Sequence, residues 1–315
     1  MTNQDDSTHE VLFKELAAAI EEHLEQQIPE EDVRRIAAEE IAKVRLPRPV
    51  KVEVNGQQTN TGNIIEGRVH HRFDELMKLI DEGQRNILMV GPAGSGKTTL
   101  AEQVATGLGL EFGFLSLSAG VTETHLFGRI LPQADGTWAH QPTRFLGLYE
   151  EGGVFLFDEV DAADPNLMVS INAAIANGQL ANPVTGQVHV RSPQFYLLAA
   201  ANTYGHGGDV QYVGRNQLDA ATLDRFILAT IEVGYDEALE EDLARSIGCN
   251  GSTDQLLSWV KTLRARIDES RVRRIASTRL VVSAARALTK GRSLADVQSR
   301  YFLGWSTDER AKVEV

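Results

Sequence analysis

Residues Gly91 to Thr99 read GPAGSGKTT, and no other stretch constrains this chain as tightly. They fit the pattern G-x-x-x-x-G-K-S/T, with Gly91, Gly96, Lys97 and Thr98 at the fixed places. Each residue type has a physical task. Glycines let the backbone curl until several N–H groups point into one concavity that accepts an anion. Lys97 brings a cation to terminal phosphates, and the Thr98 hydroxyl is a ligand for Mg2+. The flanks agree with this reading. Asn86 to Val90 is a short apolar run of the kind that forms a buried strand, and Leu100, Val104 and Leu108 recur every four residues, as on a helix face. A helix starting at the loop adds its dipole to the anion site. Gly91, Pro92, Ala93, Gly94, Ser95, Gly96, Lys97, Thr98 and Thr99 are therefore candidate contacts to a nucleoside triphosphate.

A second motif supplies the acid chemistry. Val154 to Phe157 are four consecutive apolar residues, a buried strand, and the run ends in Asp158 and Glu159, with Asp158 sixty-one residues after Lys97. A carboxylate at the C-terminal edge of a strand beside a phosphate loop is where Mg2+ has to be held. Asp158 fits that role, and Glu159 is placed to orient or deprotonate an attacking water. A further buried run, Phe195 to Ala201, ends at Asn202, whose side chain can orient water or touch the terminal phosphate.

The bulk composition narrows the setting. The 315 residues are 42% hydrophobic and 24% charged, as in an ordinary soluble protein, with room for one large domain or two medium ones. A net charge of -13 argues against non-specific nucleic-acid binding. Cys249 is the only cysteine, which rules out an intrachain disulfide. No apolar run is long enough to span a bilayer. The opening MTNQDDSTHE lacks the basic start and apolar core of a signal peptide, so the cytoplasm is the expected location.

Residues 1–48 read as an N-terminal extension of two amphipathic helices, interrupted at Pro29. The first fifty residues hold twelve Asp/Glu against six Lys/Arg, nearly half the charge excess, which suits either a docking arm or a helical pair packed on the main domain. Val50, Val52 and Val54 alternate before Asn55-Gly56, a short strand and turn. His70 and His71 precede an amphipathic helix, and no cysteine or carboxylate cluster of ligand spacing surrounds them. Residues 131–141 and 178–191 read as hairpins. His206 lies in a Gly-rich loop. From Tyr235 the pattern is helical: 236–246, 255–267, 278–288 and 293–301. The expected organisation is an α/β nucleotide-binding domain at 49–234, a helical lid at 235–302 and a tail at 303–315.

In order, the phosphate loop, acidic strand, Asn-ended strand, Asp-Arg-Phe (224–226) and helical lid resemble the AAA+ ATPases. The insert at 131–141 and the hairpin at 179–191 are similar to those of the helix-2-insert branch. AAANT (199–203), GRNQLDAATLDRF (214–226) and STR (277–279) resemble the MoxR group, including CobS-type cobaltochelatase subunits. The resemblance covers about residues 65–300. It implies a three-layer αβα domain around a parallel sheet, with ATP and Mg2+ as ligands. It also implies that Thr98 and Asp158 serve the metal, that Glu159 is the catalytic base and that Asn202 is a first sensor. Arg279 is similar to the second sensor in the lid. Arg225 is similar to the arginine finger that reaches a neighbouring subunit's ATP, and Arg215 is a second finger candidate. A finger from the next subunit implies a homo-oligomeric ring, commonly a hexamer in this family.

Three functions follow from the resemblance. The first is an ATPase that remodels or activates a partner protein, often one with a von Willebrand A domain. The second is a CobS-like subunit powering metal insertion into a tetrapyrrole, although no tetrapyrrole site is evident in the chain. The third is a nucleic-acid motor, against which the acidic balance weighs. Leu126 and Phe127 are expected to face a central pore.

Overall fold

The computed structural model describes residues 68–313 except 177 and 250; the N-terminal helices and the strand and turn at 50–56 lie outside the described residues. The chain enters through α1 (Phe73–Asp81) and continues β1 (Asn86–Val90), α2 (Lys97–Leu108), β2 (Phe112–Ser116), α3 (Thr124–Phe127), β3 (Arg129–Pro132), β4 (Trp138–Gln141), α4 (Arg144–Glu151) and β5 (Gly153–Asp158). A 3-10 turn at Val160–Ala162 leads to α5 (Pro165–Ala176), β6 (Gln179–Ala181), β7 (Val188–Val190), β8 (Phe195–Ala201), α6 (Ala220–Asp224) and β9 (Thr230–Glu232). The remainder is helical: α7 (Glu237–Ser246), α8 (Thr253–Glu269), α9 (Thr278–Thr289), α10 (Leu294–Tyr301) and α11 (Thr307–Val313).

Five strands form one parallel sheet in the order β2-β5-β8-β1-β9. A parallel sheet is covered on both faces, so its strands read as unbroken apolar runs. All seven residues of β8 are buried for this reason. Side chains still alternate between faces. Phe155 and Phe157 of β5 join Phe195 and Leu197 of β8 in a core under α4 and α5. Val154, Leu156, Tyr196 and Leu198 face the other way, into a core with Leu76 of α1 and Leu100 and Val104 of α2. The result is the αβα sandwich that the motifs imply.

Two antiparallel hairpins interrupt the sandwich, β3–β4 and β6–β7, at the stretches that read as inserts. Trp138 on the first is 69% exposed. α7 to α11 pack around their own core of Leu256, Trp259, Val260 and Leu263. That core extends beyond Tyr301: Trp305 and Val313 are buried in it, so α11 packs with the lid helices although the pattern at 303–315 reads as a tail. No helix of the described residues is long and apolar enough to cross a membrane.

Candidate active site

The C-terminal ends of β1, β5 and β8 lie side by side, and each delivers one part of the site. β1 runs into the phosphate loop. Gly91 is bonded through its N–H to Ala201 O at 3.2 Å, and a Cβ there would sit 2.1 Å from Val233 O, so only glycine fits. Gly96 caps α2 at φ 96, a left-handed conformation that side chains resist, and no side chain occupies the cap. The first-turn N–H groups of α2 thus keep their capacity for an anion.

Lys97, at the first position of α2, is 6% exposed. Its Nζ donates to Gly91 O at 2.7 Å, Pro92 O at 3.0 Å and Asn202 Oδ1 at 3.1 Å. The ammonium is thereby held between the loop's own carbonyls and the end of β8. Burial pushes its pKa down to about 8, against the opposing pull of Asp158 and Asp161. Thr98 Oγ1 donates to Asp158 Oδ2 at 3.0 Å. A hydroxyl and a carboxylate oxygen converging beside a phosphate-binding loop are hard oxygen donors of the kind Mg2+ takes, so these residues fit that ion. Thr99 is exposed on the outer side of α2.

Glu159 follows Asp158 in a left-handed conformation, φ 58 and ψ 42, rare for a side-chain-bearing residue. Its N–H bonds Asp158 Oδ1 at 3.0 Å. Its carboxylate meets Arg215 of the same chain, Oε1 to Nη2 at 3.1 Å. Arg215 is thus engaged by carboxylates of its own chain. Arg225 is placed elsewhere: it donates to Asn172 O at 3.3 Å and to Ala221 O, with no hydrogen bond to the phosphate loop among the described residues. Arg279, on the first turn of α9, lies beside the loop, since a Cβ on Gly94 would meet Ser277 Cβ at 2.7 Å and Arg279 Cγ at 3.9 Å.

Several residues of the site carry no motif. Asp161 is fully buried, and its Oδ2 accepts from Asn202 N, Thr203 N and Thr203 Oγ1, each at 3.0 Å. It ties the turn after β5 to the end of β8 and so sets the height of Asn202. Two tyrosines clamp Ala93: Tyr212 Oη accepts from its N–H at 2.8 Å and Tyr235 Oη donates to its carbonyl at 3.1 Å. Tyr235 stacks under Arg264, 3.8 Å from ring centroid to guanidinium. Arg264 pairs with buried Glu240 through bonds of 2.9 and 2.7 Å, and Thr278 donates to the same carboxylate at 2.6 Å. The lid is therefore wired to the phosphate loop through one continuous polar chain. No local pattern announces these links, because the partners are far apart in sequence.

Two expectations change. Leu126 and Phe127 are 1% and 2% exposed, in the core under α4, so they are packing residues and do not face a pore. A carboxylate does approach the histidine pair: Asp236 Oδ2 lies 3.2 Å from His71 Nδ1. Both ring nitrogens of His70 are nonetheless committed, Nε2 to Ser95 O at 3.1 Å and Nδ1 to Arg72 N at 3.2 Å. Burial lowers the His70 pKa, in keeping with a neutral ring whose Nε2–H donates to the loop. His70 is a brace behind Gly96, with no free atom for a metal.

Comparison with known proteins agrees with this geometry. Residues 86–226 match the family described as AAA domain (dynein-related subfamily). An uncharacterized protein of Staphylococcus epidermidis is 30% identical over 179 residues, 55% of this chain and 63% of that protein. The chain thus spans less than two thirds of that relative's length. The denitrification regulatory protein NirQ of Pseudomonas aeruginosa is 29% identical over 208 residues, 65% of this chain and 76% of NirQ. Among solved structures, NtrX of Brucella abortus in complex with ATP aligns at 13% identity and TM-score 0.48, over 86% of this chain and 64% of that one. The phosphate loop, acidic strand end and Asn-ended strand on a β2-β5-β8-β1-β9 parallel sheet, together with the family match over residues 86–226, support the resemblance to AAA+ ATPases of the MoxR-like type.

Proposed function

We propose that this chain hydrolyses ATP within a homo-oligomeric ring, of six copies as is common in the family, and uses the cycle to remodel or activate a partner protein. The observation that carries the reading is the convergence of Lys97, Thr98, Asp158, Glu159 and Asn202 at one edge of the sheet. In the proposed cycle Lys97 exchanges its carbonyl partners for phosphate oxygens. Thr98 and Asp158 hold Mg2+, which when bound offsets the charge of the phosphates. Glu159 takes the proton of the attacking water, and Asn202, held by Asp161, fixes that water and the terminal phosphate. Arg225, on the surface after α6, completes the site of the next copy. Arg279 reports the bound state to the lid.

A partner-directed role is supported by the relative NirQ, a denitrification regulatory protein. A protein carrying a von Willebrand A domain is the partner class suggested by the family, with the cytoplasm as its location. The test is steady-state phosphate release from ATP with Mg2+. Lys97→Ala is expected to abolish it; turnover equal to wild type in that variant overturns the proposal.

A further inference from the structure

We infer that Arg215 acts in cis, as the positioning residue that holds the Glu159 carboxylate, with buried Asp161 as its anchor. This rests on the ATPase reading above and adds a named residue to the site.

The inference starts from Asp161. Its side chain is fully buried, and Oδ2 is saturated by three donors from Asn202 and Thr203. Its other oxygen, Oδ1, accepts no hydrogen bond and faces Arg215 Nη1 at 3.5 Å. A buried carboxylate needs a nearby cation, because water is not there to stabilise its charge. Arg215 supplies that cation, and its own side chain is only 14% exposed. The second arm of the guanidinium reaches Glu159 Oε1 at 3.1 Å. One planar group thus bridges a fixed acid and the candidate general base. Rigid two-armed geometry is what arginine offers and lysine does not.

The main chain points the same way. Asn216 N donates to Asp161 O at 2.6 Å, and Asn216 Nδ2 donates to Ala163 O at 2.8 Å. The backbone beside Arg215 is therefore bonded to the very turn that follows Glu159. Three residues earlier, Tyr212 bonds Ala93 N in the phosphate loop. A single loop, 204–217, spans both walls of the catalytic gap. A residue tied down in this way travels with its own Glu159. Reaching a neighbouring copy's site would take from Asp161 Oδ1 the guanidinium that faces it, leaving that oxygen with no hydrogen-bond partner.

Mixed assemblies decide between cis and trans. Arg215→Ala alone is expected to lower kcat by about 10- to 100-fold, the scale of a misplaced base, with ATP affinity held within about twofold. Arg215→Lys is expected to recover only part of kcat. When Arg215→Ala chains are mixed with Glu159→Gln chains, activity is expected to stay at the sum of the two alone, because each copy's own site is broken. Mixing Arg225→Ala with Glu159→Gln chains is expected to exceed the sum, since that residue acts across the boundary. Recovery in the Arg215 mixture, or unchanged kcat in Arg215→Ala, overturns the inference. A measurement that needs no turnover accompanies these. In a thermal-unfolding cycle, Asp161→Asn and Arg215→Ala are expected to be non-additive, the double variant falling by less than the two single falls together. Additive falls overturn the cis pairing. Absence of turnover in wild type defeats the ATPase reading, while the unfolding cycle still decides the pairing.

Discussion

Lys97→Met is expected to stabilise the nucleotide-free chain at pH 7. The lysine is 6% exposed, and burial brings its pKa from 10.5 to about 8. At roughly 1.4 kcal/mol per pH unit, holding that charge in the fold costs about 3 kcal/mol. The sign follows from proton counting. Between about pH 8 and 10.5 the unfolded chain binds the proton and the folded chain does not, so stability rises with pH across that window. Below pH 8 the full penalty is present. Methionine keeps the apolar stem and removes the charge, but Gly91 O, Pro92 O and Asn202 Oδ1 lose a donor. Subtracting about 1–2 kcal/mol for that loss leaves a net gain of about 1–2 kcal/mol, or about 2–8 °C in Tm for a domain of this size. Thermal unfolding of both proteins at pH 7 and pH 10, without nucleotide, measures it. The gain is expected to shrink at pH 10. A less stable Lys97→Met at pH 7, or a difference independent of pH, refutes the claim that the loop holds a costly buried cation in readiness for phosphate. In the wild type, ATP affinity is expected to fall above about pH 8, as the free site loses the proton that binding requires.

Gly91→Ala places a Cβ 2.1 Å from Val233 O, and loss of ATP binding with a lowered Tm is expected in a binding titration and a melt. Phe127→Ala empties a site that is 2% exposed, so a loss of about 3–5 kcal/mol is expected in chemical denaturation; a loss under about 1 kcal/mol would restore a pore-facing role. Arg264→Ala leaves Glu240, 2% exposed, without its bidentate partner, and a loss of about 3–5 kcal/mol is expected by denaturation, with Arg264→Lys failing to restore it.

What could be read from the sequence is what lies in contiguous residues. The phosphate loop is built from nine neighbours whose own backbone makes the anion site. The acidic strand and the Asn-ended strand announce themselves because a fully buried parallel strand is an unbroken apolar run, and the first polar residue after it sits at the sheet's edge. Hence Lys97, Thr98, Asp158, Glu159 and Asn202 could be named, and the structure gathers them. Asp161 could not: its partners are Asn202 and Thr203, and only the pairing of β5 with β8 brings them near. Tyr212, Tyr235 and Arg264 belong to the same class, since a tyrosine in a loop has no pattern until the fold supplies its acceptor. Phe127 misled for the opposite reason. An apolar pair in a short helix between loops looks available, and only the packing of α4 shows that it is enclosed.

Glu159 is proposed as the base of an ATP-hydrolysing site whose binding elements are separate from it. Glu159→Gln keeps the size of the side chain and removes its basicity. ATP binding by calorimetry and phosphate release under the same conditions measure the two halves. ATP affinity close to wild type, with turnover lowered by about 100-fold or more, is the predicted result. Turnover within about twofold of wild type in this variant would contradict a base role for Glu159.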